Sequence, residues 1–126
     1  MSFRTDIYTL MNADSAINAL VNSINFLQAH DNKDLKSNYI VYNNEAIDEI
    51  SSFDAYQEHT IYKHEIIIFS DSTVDLDNIT EAVRTYLDNY ETTPFLDVRL
   101  ISDEPGSEGE KEQFSNILEY RIIYKN

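Results

Sequence analysis

The stretch HEIIIFSDSTVDLDNITEAVRTYLDNY, residues 64–90, decides how the rest of the chain is read. Ile66, Ile67, Ile68 and Phe69 form an unbroken apolar and largely β-branched run, the pattern of a strand covered on both faces. Ser70, Asp71, Ser72 and Thr73 stop it, because their short side chains bond their own backbone. Beyond them Ile79, Ala82, Val83, Tyr86, Leu87 and Tyr90 recur at helical spacing with polar residues between. This predicts a helix over about residues 75–90. Asp71, Asp75 and Asp77 read as turn and cap residues, since a carboxylate near a helix start accepts orphan N–H bonds and complements the dipole. The unit is a strand with a helix laid back on its sheet.

Upstream, Phe3, Ile7, Leu10 and Met11 follow the i, i+4, i+7, i+8 pattern of one helix face, and Ser2 can cap it. Residues 12–15, Asn-Ala-Asp-Ser, interrupt that helix, and a second short turn follows with Ile17, Leu20 and Val21 as its buried side. Ile24 and Phe26 alternate within a candidate first strand over residues 23–29, and the polar residues 30–38 read as a loop. Tyr39, Ile40, Val41 and Tyr42 are strongly β-prone. Residues 46–56 are ambiguous: Ile47, Ile50 and Phe53 suit a helix, whereas the flanking asparagines and inner serines favour an extended hairpin arm. The extended reading is preferred.

Residues 60–69 form the long central strand, whose first half alternates and so predicts a start at a wetter edge. Residues 95–101 alternate Phe95, Asp97, Arg99, Ile101 against Leu96, Val98, Leu100, giving one wet and one dry face. Residues 117–124 form the closing strand. Short connections between the later elements favour an α+β fold. It has a mainly antiparallel sheet of four to five strands, with an N-terminal helix and one long helix on one face. Residues 1–126 suit a single domain with one core.

Composition narrows the function. The chain has no cysteine, which excludes disulfides, thiol nucleophiles and Cys-based zinc sites. Its two glycines share one loop, so glycine-rich phosphate cradles and dinucleotide fingerprints are absent. Against 23 acids stand 9 Lys and Arg, a net charge of −14, and tight nucleic-acid binding is not expected without clustered cations. No apolar run reaches the roughly 18 residues of a bilayer span, and no uninterrupted apolar stretch follows Arg4 and Asp6, so neither membrane association nor a secretory signal is expected.

Catalytic patterns are equally lacking. A calcium loop built on Asp71, Asp75 and Asp77 fails, because Leu76 stands where glycine is required and Ala82 where a bidentate glutamate is required. His59 and His64 are five apart on one strand and point to opposite faces. Together with remote His30 they read as surface or partly covered residues. No serine has a nucleophile-elbow context. No catalytic residue, metal or cofactor is predicted, and the chain is expected not to be an enzyme. The nine tyrosines read as core or rim residues, with Tyr86 and Tyr90 on the helix stripe and Tyr120 and Tyr124 sharing one strand face.

Residues 102–112, SDEPGSEGEKE, hold both glycines, five acids and one lysine between the last two strands. A loop this charged cannot pack by itself. It reads either as a bare hairpin tip or as an arm that orders on a partner, with Asp103, Glu104, Glu108, Glu110 and Lys111 as the contact residues.

The assembled pattern resembles phage tail-terminator proteins, also called tail-completion or head–tail joining proteins. DIYTLMNADSAINALV is similar to their N-terminal helix and small-residue turn, and NYIVYNNE to the short strand after the first loop. HEIIIFSDSTVDLDNITEAVRTYLDNY resembles their strand, turn and helix, and ILEYRIIYKN their closing strand. The resemblance implies a homo-oligomeric ring, usually a hexamer, that caps the tail tube and docks the head connector. It implies a place in the virion at the tail–head junction after assembly in the host cytoplasm, and carries over no catalytic residue. The chain departs from many relatives in its acidity and in lacking glycine in its first half. An acidic DNA-mimic inhibitor of a nucleic-acid-binding protein is the alternative that the charge alone suggests.

Overall fold

The computed structural model describes residues 3–26, 38–51, 57–106 and 114–125. The elements run α1 (Phe3–Asn12), α2 (Ser15–Leu20), β1 (Ser23–Phe26), β2 (Asn38–Ser51), β3 (Gln57–Ser70), α3 (Thr73–Leu87), β4 (Phe95–Pro105) and β5 (Phe114–Lys125). One five-stranded sheet has the order β1-β2-β3-β5-β4. Only β1 and β2 pair in parallel, and every other neighbour is antiparallel. The fold is α+β, as expected. No helix among the described residues is long and apolar enough to cross a membrane.

A strand sends alternate side chains to opposite faces, and the helices use only one of them. Ile66 and Ile68 of β3 are fully buried in the main core with Ile40 and Tyr42 of β2 and Leu118, Tyr120 and Ile122 of β5. Ile7 and Met11 of α1, Ile17 of α2 and Ile79, Val83 and Leu87 of α3 complete that core. Ile67 and Phe69 face the other way and are half-buried, on a face that carries no helix among the described residues but also buries Tyr39, Val41 and Ile61. β3 is the middle strand of the sheet, and in its first half Ile61 and His64 are buried whereas His59, Tyr62 and Lys63 are half-buried.

Local chemistry fixes the helix ends. Asp14 caps α2 by accepting from the Ile17 N–H at 3.1 Å. Ser70 Oγ donates to Asn38 Oδ1 at 2.7 Å and accepts the Ser72 N–H at 3.1 Å, holding the turn after β3. Ser72, not an aspartate, is the N-cap of α3, accepting from the Asp75 N–H at 3.3 Å. Asp75 keeps its favourable place in the first turn. The helix stops at Leu87, three residues before the expected end, because Asn89 turns into the left-handed region at φ 63°. Tyr90 still packs against Tyr86 and Phe95.

Two bulges rewrite the alternation of β4. Phe95 opposes Tyr124 and Asp97 opposes Ile123, so Leu96 is an extra residue and Phe95 joins Val98 on the core face. A second irregularity between Leu100 and Ser102 then turns Asp103 and Pro105 toward α3. Phe95 thereby enters an aromatic cluster in which Phe3 stacks on Tyr62 at 3.6 Å and meets Tyr124 edge-on at 5.0 Å. Residues 46–51 are extended in β2, as preferred. Val21 packs against the core, whereas Leu20 is exposed, because the short α2 turns only Ile17 fully inward.

Leu87→Ala empties a fully buried site at the end of α3 and should cost about 2–5 kcal/mol. Urea denaturation followed by circular dichroism measures it, and an unchanged midpoint would contradict the packing described.

Candidate interaction surfaces

His64 is fully buried in the core, beside Met11 of α1. Its Nδ1 bonds Asn44 Oδ1 across the β2–β3 pair, and its Nε2 lies 3.3 Å from Met11 Sδ. Burial pushes its pKa down to about 3, so the ring is neutral at ordinary pH. The sequence reading put this histidine at or near the surface. Its neighbours Lys63 and Glu65 are polar, and the helix residue that covers it lies 53 positions away. Among the described residues, no three His, Cys, Asp or Glu side chains gather in a way that could hold a metal ion.

The first surface is a groove of about 630 Å³ between α3 and the adjoining ends of β4 and β5. Spacings of four, three and four place Asp77, Glu81, Arg84 and Asp88 along one side of α3, facing it. Arg84 bridges helix and sheet, reaching Asp88 at 3.4 Å and Asp103 at 3.3 Å. Asn116 Nδ2 donates to Asp103 Oδ1 at 2.7 Å, and the Tyr120 hydroxyl donates to Asp88 Oδ1 at 2.7 Å. Burial, then the Asp88 carboxylate, drives the Tyr120 pKa upward, so this hydroxyl remains a donor. Asp77 and Glu81 are exposed and make no ion pair among the described residues.

The predicted contact residues therefore separate. Asp103 is not a loop residue: it sits in β4 opposite Leu118 and its carboxylate is engaged by Arg84 and Asn116. Glu104 is exposed one position on, opposite Ile117 on the far face. Gly106 ends the pairing by donating its N–H to the Ser115 carbonyl at 2.9 Å. A Cβ on Gly106 would lie 2.3 Å from Ser115 Oγ and 3.2 Å from its Cβ, so a larger residue here would force the Ser115 side chain to shift. Glu108, Glu110 and Lys111 lie outside the described residues.

The second surface is the sheet face that carries no helix. Here Lys63 of β3 opposes Arg121 of β5, and Arg121 opposes Arg99 of β4. Three cations thus stand in a row across three strands. Like charges directly opposite one another are destabilising. Lys63 is relieved by Glu119 at 3.6 Å and Arg99 by Asp97 at 3.6 Å, whereas exposed Arg121 has no ion pair among the described residues. Half-buried Ile67, Ile117 and Ile123 flank the row on the same face. Sequence reasoning missed this row because it exists only once register is known.

No family profile matches the chain, and no curated protein matches it in sequence. Among solved structures it is similar to a chain of the virion of a native gene transfer agent (GTA) particle, with a TM-score of 0.79. The likeness covers 99% of this chain and 96% of that one at 13% identity. The two share a fold. Their agreement in fold runs end to end.

Because folded His64 binds its proton only near pH 3, the unfolded chain takes up a proton first as pH falls below about 6.5. The stability this provides is complete above pH 6.5 and is lost between there and pH 3. By pH 4.5 it should amount to about 2–3 kcal/mol of acid sensitivity. Comparing the pH slopes of wild type and His64→Gln in urea melts tests this, since only the wild type should carry that component. Parallel slopes would refute it.

Proposed function

We propose that the chain is a structural protein of a phage-like virion, acting as a tail-terminator ring that caps the tail tube and joins it to the head connector. The carrying observation is the end-to-end likeness of fold to a chain of a gene transfer agent virion. The resemblance of residues 6–21, 38–45, 64–90 and 117–126 to tail-terminator proteins supports the finer role. In this role the protein works by position: subunits associate with copies of themselves, with the tube below and with the connector above. No step of catalysis is assigned to it. The net charge of −14 suits a ring beside passing DNA, because a negative wall does not hold a phosphate backbone.

The DNA-mimic alternative requires acids spaced over one uninterrupted face. The row of Lys63, Arg121 and Arg99 breaks that requirement on the sheet side, and Arg84 breaks it on the helix side.

Deleting the gene from its parent phage or element, followed by electron microscopy, tests the reading. The expected particles are filled heads without joined, length-controlled tails. Normal tails attached to heads in the deletion strain would sink it.

A further inference from the structure

The cation row and the acidic groove lie on different sides of the molecule and carry opposite charge. We infer that they are the two halves of one heterologous contact: the row Lys63–Arg121–Arg99 of one copy docks in the α3 groove of the next, against Asp77 and Glu81. This rests on the ring reading and names the surfaces that would build the ring.

Four observations carry it. The row is strained within one copy, since Arg121 stands between two cations with no ion pair among the described residues. In the groove Arg84 is already held by Asp88 and Asp103, which leaves Asp77 and Glu81 as its acids without an ion pair among the described residues. Dimensions permit it: three neighbouring strands spread the cations over about 10 Å, and their long side chains can reach Asp77 and Glu81, which lie about 6 Å apart along α3. Finally, the flanking Ile67, Ile117 and Ile123 are half-exposed, so the contact would exclude water around its charges.

The same face argues against nucleic acid as the occupant. Glu45, Glu65, Asp97, Glu104 and Glu119 share it with the cations, so a phosphate backbone would meet about as much repulsion as attraction. A protein surface can match such a mosaic point by point. A contact between two unlike surfaces repeats head to tail and closes into a ring when its rotation permits, whereas a two-fold contact would stop at a dimer.

The test uses the full chain and two charge reversals, Arg121→Glu and Glu81→Arg, with native mass spectrometry and light scattering as readouts. The wild type should form a discrete closed oligomer, and each variant alone should assemble at least about tenfold more weakly. Mixed in equal amounts, the two variants should assemble again, because each reversed surface then meets a reversed partner and each native surface a native one. The Arg121→Glu monomer should melt higher than the wild-type monomer by roughly 1–4 °C, since the like-charge row becomes an alternating one. That gain separates lost docking from lost folding. A wild type that stays monomeric at high concentration, variants that assemble as well as wild type, or a mixture that stays dissociated would each overturn the inference. So would recovery of the oligomer only on adding duplex DNA. None of these would change the tail phenotype of the deletion strain, which tests the virion reading separately.

Discussion

The structure depends on a sheet that is packed by helices on one side only. Ile66, Ile68, Leu118 and Ile122 are fully buried, and burying each contributes about 1.5–3 kcal/mol. Every strand must present its apolar set to that side, and a one-residue slip would send the set to the other face. The two irregularities of β4 make sense under this constraint. The first returns Phe95 to the core face after Asp97 has taken the open one, and the second brings Asp103 to Arg84. Without the second, the polar bridge between α3 and the sheet would lose its sheet-side carboxylate. The break between α1 and α2 serves the same end, because Asp14 starts a new helix whose Ile17 reaches the core beside α3.

Much of this was legible in the residues. The apolar run 66–69, the turn at 70–73 and the helical stripe after it each express a local rule, and the structure contains all three. What escaped was non-local. His64 lies between Lys63 and Glu65, so its surroundings read as wet, and only the approach of Met11 and Asn44 buries it. Both faces of residues 66–69 are apolar, yet the helices cover one. A run of isoleucines says that a face dislikes water, not which neighbour covers it. The bulges could not be read because an extra residue is defined against a partner strand. Asp103 and Glu104 were placed in a charged loop by composition, although β4 continues through Pro105.

The candidate surfaces were invisible for the same reason. Lys63, Arg99 and Arg121 are scattered across 59 positions in a chain dominated by acids, and no window of sequence joins them. Register puts them side by side. The cations of this acidic chain are not spread evenly. Lys63, Arg99, Arg121 and Lys125 all occupy the helix-free face, while Arg4 and Arg84 remain on the helix side among the described residues. Arg4 lies over the Phe26 ring, 5.3 Å from its centroid, and Arg84 is committed to Asp88 and Asp103.

That distribution bears on why a chain with 23 acids sets three cations in line. An acid in place of Arg121 would pair with Lys63 and Arg99 and favour the isolated monomer. Keeping arginine there gives up a little folding stability and leaves an unneutralised charge on an otherwise half-apolar face. The arrangement becomes favourable only when an acidic surface arrives from outside. The α3 groove supplies such a surface, with Asp77 and Glu81 exposed at its wall and without an ion pair among the described residues. In the proposed head-to-tail contact, the strain on one face and the excess on the other cancel between molecules, not within one.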